Sequence, residues 1–284
     1  VTGPASVRLI ATDLDGTLFR PDKTISRRTM AALRGAADSG IHLVAATGRQ
    51  PGGIPLDLAP CGIGHVLGSN GAICVDQATG EILFEELLGA EAVAAIATML
   101  RQRMPGVRLS ASREHGQRYA VEPDYPSLVG PTEHVLPNYL NVEPYAAVIS
   151  EPTLKLTVRH PELTAEQMLR LANTSGLKGF HATTSGAPFL EIGAPGVNKA
   201  SGLIRLCALL KIDADQVLAV GDAGNDVEMI RWAGRGVAMG NASPEVKELA
   251  DLVTTTNIDD GVASVIEAVL AERRIKWSRP ATAS

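Results

Sequence analysis

What most constrains the fold of this chain is an order: strand, helix, strand within its first fifty residues, each strand stopping at a polar loop. Val7 to Thr12 is mostly apolar and β-favouring, and it ends at Asp13 in an acidic, glycine-containing turn. A helical stretch follows from about Ser26 to Asp38, with Met30, Leu33 and Ala37 at helical spacing and Gly40 placed to end it. Ile41 to Ala46 is a second strand running into Thr47-Gly48-Arg49. A right-handed crossover of this kind makes the two strands parallel, so both polar loops open at one sheet edge. The pattern returns late in the chain. A helix from about Lys199 to Leu210 leads to Val217 to Val220, which stops at Gly221-Asp222; a helix at Asp226 to Trp232, a strand at Gly236 to Met239 and a helix at Pro244 to Ala250, N-capped by Ser243, follow. Such alternation predicts a doubly wound α/β fold on a parallel sheet, with Trp232 packed on an apolar helix face.

The middle has a different texture. Glu85 to Leu190 carries an Ala-rich helix near Glu91 to Arg101, short β-like runs, several prolines and a helix near Thr164 to Thr174. This predicts an inserted α+β cap domain at residues 85–190, leaving a discontinuous core at 1–84 and 191–284; a length of 284 residues suits two units. Just before the insertion, Val66 to Asp76 and Glu81 to Phe84 are apolar runs separated by Gln77 to Gly80, which predicts a hairpin leaving the core. The tail from about Trp277 is expected to fray.

Composition excludes several classes of function. Hydrophobic residues at 45% and charged residues at 20% are enough for a core and too balanced for disorder. A net charge of -5 gives no basic footprint for nucleic acid. The longest apolar runs, such as Ala92 to Leu100, fall short of the roughly 20 residues of a membrane-spanning helix. Val1 to Ser6 lacks the basic-then-apolar pattern of a secretory signal. Cys61, Cys74 and Cys207 form no CxxC and no metal-like spacing with histidine, so they are expected as reduced core residues in a cytoplasmic protein. Oligomeric state is not legible.

The chemistry concentrates in Asp13-Leu14-Asp15-Gly16-Thr17-Leu18. An EF-hand would need Glu at the twelfth position of that loop, which here is Thr24. Its place directly after a buried strand is where open α/β sheets hold ligands. Asp13, Asp15, Asp222 and Asp226 converge on that edge, a self-repelling set unless cations compensate it. Lys199 and one divalent ion supply three positive charges.

Together with Thr47-Gly48-Arg49, Lys199 and Gly221-Asp222-Ala223-Gly224-Asn225-Asp226 in that order, the loop resembles the haloacid dehalogenase superfamily of aspartate-dependent phosphatases. Ser69-Asn70-Gly71-Ala72, Gly196-Val197-Asn198-Lys199 and an insertion between the second and third motifs resemble its Cof-type branch, subfamily IIB, with a C2-type cap on a Rossmann-like core. The resemblance covers residues 7–84 and 191–272, and the cap more weakly. It implies Asp13 as nucleophile forming an aspartyl-phosphate, Asp15 as general acid and base with a raised pKa, and Lys199 as the catalytic cation. It further implies Mg²⁺ held by Asp13, the backbone carbonyl of Asp15 and Asp222, and phosphate held by Thr47, Gly48, Lys199 and Asn225. Arg49 and Asn70 are added as substrate contacts, and Asp226 as orienting the magnesium shell behind Asn225. In the cap, Arg113, His115, Arg118, Tyr119 and His181 are candidates of which none stands out.

The activity so implied is hydrolysis of a small phosphorylated metabolite, foremost a sugar phosphate, with no nucleic acid or membrane partner. A sugar phosphomutase is the nearest rival, and a non-catalytic phosphometabolite-binding regulator the rival of another class. Stoichiometric phosphate release separates the first rival, and turnover in magnesium the second.

Overall fold

The computed structural model describes residues 6–130 and 140–277. The readings of residues 1–5 as free of a secretory pattern and of the tail after Trp277 as frayed lie outside the described residues.

β1 (Leu9–Thr12), α1 (Arg27–Asp38) and β2 (His42–Ala46) form the expected unit, with β1 and β2 parallel and Leu9 opposite His42. The Ser26 side chain accepts the Thr29 amide and starts α1. Leu33 and Ala36 form its buried face, while Met30 and Ala37 sit half-buried at its margins. β3 (His65–Gly68) extends the sheet in parallel beside β2.

Here the structure departs from the expectation. Val66 to Asp76 is two strands: Ser69, Asn70 and Gly71 all take positive φ (52°, 57° and 91°) and reverse the chain, so β4 (Ile73–Asp76) returns antiparallel with Cys74 opposite Leu67. The hairpin of β4 with β5 (Ile82–Glu85) does not leave the core but forms the edge of its sheet. Ser69-Asn70-Gly71, by itself a turn sequence that favours a hairpin or a left-handed residue, carries the reversal.

The insertion contributes α2 (Ala90–Arg103), β6 (Arg108–Arg113), β7 (Arg118–Val121), β8 (Leu140–Val142), α3 (Tyr145–Val148), β9 (Lys155–Arg159), α4 (Ala165–Asn173), β10 (His181–Thr183) and β11 (Leu190–Gly193). These strands make a second sheet, ordered β10-β11-β9-β6-β7-β8 and antiparallel except for β7 with β8. Because Glu191 and Ile192 pair with Thr157 and Leu156, this sheet runs to Gly193, past the expected boundary at residue 190.

The chain returns to the first sheet through α5 (Lys199–Leu210), β12 (Val217–Gly221), α6 (Val227–Trp232), β13 (Arg235–Ala238), α7 (Pro244–Leu249) and β14 (Leu252–Val253). The last described element is α8 (Gly261–Trp277), a helix that motif spacing did not single out. The first sheet is ordered β14-β13-β12-β1-β2-β3-β4-β5, parallel from β14 to β3. Its central strands are buried on both faces: Ile10, Leu43 and Ala45 pack towards α1 and α8, while Leu9, Ala11 and Val44 pack towards α5. This is the doubly wound arrangement, with an α+β cap inserted after β5. Trp232 is half-buried against the α5 side, as its helix position predicts.

In the cap sheet, Leu109, Ala111, Leu156 and Val158 face α2 and α4 in their own core. Strand periodicity then turns Ser110, Lys155, Thr157 and Arg159 to the opposite face. That face looks onto the end of the first sheet where β1 and β2 stop. The three cysteines are free and buried, and no helix among the described residues is long and apolar enough to cross a membrane.

Candidate active site

Asp13 follows β1 directly. Its amide donates to Val220 O at 3.0 Å, tying the acidic loop to the end of β12, and its carboxylate is buried. Lys199 begins α5, where Asn198 caps the helix by accepting the Ser201 amide at 2.9 Å. The Lys199 side chain is 0% exposed, and its Nζ lies 2.6 Å from Asp13 Oδ1 and 2.6 Å from Asp226 Oδ1. Asp226 Oδ2 accepts the amides of Asp222 (2.9 Å) and Ala223 (3.0 Å), so both of its oxygens are engaged and it braces the loop. Asp222 Oδ1 accepts the Thr17 hydroxyl at 2.7 Å. Gly16 crosses this carboxylate with φ +83°, and a Cβ there would overlap it, so only glycine fits.

One carboxylate oxygen from each of Asp13, Asp222 and Asp226 lies within 4.8 Å of the others. Burial, followed by the repulsion of Asp226, pushes the Asp222 carboxyl up to about 6. Burial also raises Asp13 well above the usual carboxylate range, against the pull of Lys199. Lys199 itself, despite its burial, is held charged by Asp13 and Asp226. Three carboxylates against one ammonium leave uncompensated negative charge on hard oxygen donors, a set that fits a divalent cation such as Mg²⁺.

The sign of the Asp222 shift gives a test. Its pKa is raised on folding, so its contribution to stability is present below about pH 4 and lost as pH rises through about 6. In EDTA, Asp222→Asn should therefore raise the melting temperature at pH 7.5 by a few degrees, the scale of about 1–2 kcal/mol, and by less at pH 4.5. Equal shifts at both pH values in a thermal melt would contradict this account.

Thr47 follows β2 directly, and its amide donates to Leu67 O at 2.8 Å. The Asn70 amide donates to Thr47 O at 2.9 Å, and Asn225 Nδ2 donates to Asn70 Oδ1 at 2.9 Å. The left-handed Asn70 therefore joins the second and fourth motif loops. Asp13, Asp15, Thr47, Gly48, Arg49 and Asn225 line one cavity of about 370 Å³. Asp222 completes the carboxylate cluster, and Asn225, not Asp226, faces the cavity.

Asp15 corrects an expectation. Arg49 grips it with two nitrogens, Nε at 2.5 Å from Oδ2 and Nη2 at 2.8 Å from Oδ1, and Lys23 Nζ lies 2.7 Å from Oδ1. Burial works to raise its pKa, but Arg49 and Lys23 overcome this and hold it down at about 2. The raised pKa was expected from the general-acid role; Lys23 and Arg49, separated in sequence, are brought onto this carboxylate only by the fold.

The opposite cavity wall comes from the cap, and of the five cap candidates only Tyr119 lines it. Arg113 is buried against Ala147 O and Val148 O, Arg118 pairs with Glu114 and Glu143, and His115 pairs with Glu85. The wall uses instead Lys155, Thr157, Arg159 and Glu191, together with Tyr125 and Phe189. A signal for the first three existed: polar residues at alternate positions of an otherwise apolar strand.

The sequence profile of the haloacid dehalogenase-like hydrolases matches residues 10–266, spanning both sheets. The chain is a haloacid dehalogenase-like hydrolase. The hydrolase is 29% identical over 268 residues to the 5-amino-6-(5-phospho-D-ribitylamino)uracil phosphatase YcsE of Bacillus subtilis, covering 92% of this chain and 94% of that one. Among solved structures, a haloacid dehalogenase-like hydrolase from Bacteroides thetaiotaomicron aligns with a TM-score of 0.77 at 28% identity, covering 93% of this chain and 100% of that chain. The subclass IIB sugar phosphatase BT4131 shares the hydrolase fold with a TM-score of 0.78 at 24% identity, covering 92% and 98%.

Proposed function

We propose that this hydrolase is a Mg²⁺-dependent phosphatase of small phosphorylated metabolites, foremost sugar phosphates, working through an aspartyl-phosphate on Asp13. The observation that carries the proposal is one buried carboxylate, Asp13, joined to Lys199 at 2.6 Å, clustered with Asp222 and open to a cavity that Thr47 and Gly48 also line. Phosphoryl transfer needs an in-line nucleophile and charge neutralisation, and these groups provide both.

In this reading an Asp13 oxygen attacks phosphorus, the bond to the leaving alcohol oxygen breaks, and that oxygen takes a proton from Asp15. Water then attacks the aspartyl-phosphate, giving its proton to Asp15 and releasing phosphate. Asp15, ionised between Arg49 and Lys23, is suited to the second step as it stands. Its acid role requires an anionic substrate to draw those two cations away. Asp13, Asp222 and the Asp15 carbonyl would hold Mg²⁺, which when bound would supply neutralisation of the phosphate and of Asp13. Thr47, Gly48 and Asn225 hold phosphate oxygens, and Lys199 keeps Asp13 ionised. Three free, buried thiols suit a cytoplasmic setting.

A phosphate-release screen over sugar phosphates, nucleotides and cofactor precursors tests the proposal. Stoichiometric phosphate with Mg²⁺, and at least a hundredfold loss in EDTA, is the expected result. Isomerised sugar phosphate without phosphate release would replace it with a mutase.

A further inference from the structure

The cap reaches into the core at one point that pocket shape alone does not explain. Lys155, on β9, donates from Nζ to Gly48 O at 2.5 Å and forms an ion pair with Glu191 of β11. Both side chains are nearly sealed, 7% and 2% exposed. β9 and β11 are neighbours with Thr157 opposite Glu191, so Lys155 and Glu191 are diagonal partners on the sheet face that looks at the core. A Cβ on Gly48 would sit 3.1 Å from Glu191 Oε1, which shows how closely the pair abuts that loop.

The peptide joining Gly48 to Arg49 is planar, so fixing its carbonyl also fixes the direction of its N–H. That N–H, of Arg49, donates to Thr47 Oγ1 at 3.1 Å. Since the Thr47 hydroxyl accepts there, its own hydrogen is left to donate to another acceptor. Lys155 thus sits at the head of a chain: ammonium, Gly48 carbonyl, Arg49 amide, Thr47 hydroxyl. Because Lys155 and Glu191 cancel in charge, the pair adds little net field to the cavity. It is also a costly thing to bury, for Glu191 Oε2 has no hydrogen-bond partner among the described residues. Apolar residues of similar volume would hold the two sheets together at least as well.

We propose that Lys155 is a positioning residue: braced by Glu191, it orients the Gly48–Arg49 peptide and thereby the Thr47 hydroxyl for phosphate, so that the phosphate grip is complete only when the cap is seated. The inference rests on the phosphatase reading for its kinetic arm but not for its binding arm.

The test compares wild type, Lys155→Met and the double variant Lys155→Met/Glu191→Gln, which leaves no unpaired buried charge and keeps the question answerable if the single variant folds poorly. With p-nitrophenyl phosphate, the folded double variant is expected to lose kcat by about 10- to 100-fold, the cost of a misplaced binding group, and to bind orthovanadate and inorganic phosphate more weakly by a similar factor. A purely structural role would instead lower the melting temperature and leave kcat and phosphate affinity of the folded fraction unchanged; that result overturns the proposal. So does a loss confined to KM for bulky substrates with phosphate affinity intact, which makes Lys155 a contact to the leaving group. If wild type turns over no phosphate ester, calorimetric titration with inorganic phosphate decides alone: weaker binding by the variant upholds the role of Lys155 while the phosphatase reading falls, and unchanged binding refutes both.

Discussion

Asp13→Asn is expected to abolish turnover of p-nitrophenyl phosphate, by roughly 10⁴-fold or more, with the fold intact. The amide matches the carboxylate in shape, so Lys199 Nζ keeps an acceptor where it now finds Asp13 Oδ1 at 2.6 Å, and the main-chain tie to Val220 is untouched. What disappears is the nucleophile and one charge of the cluster. Removing a buried carboxylate whose pKa is raised relieves repulsion from Asp226 and Asp222, so the variant should melt no lower than wild type in EDTA at neutral pH. Its melting temperature should also respond less to Mg²⁺, because a ligand is gone. Steady-state kinetics with a paired thermal melt check this. Retained turnover in a well-folded Asp13→Asn protein would remove the nucleophile from the mechanism.

Lys199→Met should do the opposite to stability. The ammonium is fully buried and joins two buried carboxylates that have no other cation at such distance among the described residues. Truncating one partner of a buried ionic group leaves the others uncompensated, at a cost of about 3–5 kcal/mol. For a chain of this size that lowers the melting temperature by roughly 6 to 20 °C. The loss should be larger at pH 7.5 than at pH 5, since Asp13, whose pKa burial raises, takes up a proton more readily at the lower pH once the ammonium is gone. Adding Asp226→Asn should restore much of the melting temperature but none of the turnover, because it removes a stranded charge without returning the cation beside Asp13. A Lys199→Met protein that melts like wild type at both pH values would mean the ammonium is not the compensating charge.

Much of this could be read from local pattern. Alternating strands and helices, each strand stopping at a polar loop, specify a doubly wound sheet because apolar periodicity and crossover handedness leave few other topologies. They also put Asp13, Thr47 and Asp222 at one sheet edge, since parallel strands all end on the same side. Lys199 was legible as a compensating charge for these carboxylates, and the fold adds that it does so by direct pairing with Asp13 at 2.6 Å.

Other features have at most a partial local signature. Ser69-Asn70-Gly71 reads locally as a hairpin turn or a left-handed residue, but that all three take positive φ and send β4 back along the sheet edge is decided by the fold. Asp15 was assigned a raised pKa from its role; the fold brings Arg49 and Lys23 onto the same carboxylate and drives it down. The cap residues facing the cavity were missed for a related reason. Alternation says that Lys155, Thr157 and Arg159 share a face, but which face meets the core depends on how two sheets pack, a matter of tertiary contact and not of period. Local pattern along the chain was enough for the parallel strands and for the gathering of Asp13, Thr47 and Asp222 at their ends. The tertiary structure alone decided which charges neutralise one another, because electrostatic interaction depends on separation in space and on burial, and neither is proportional to distance along the chain.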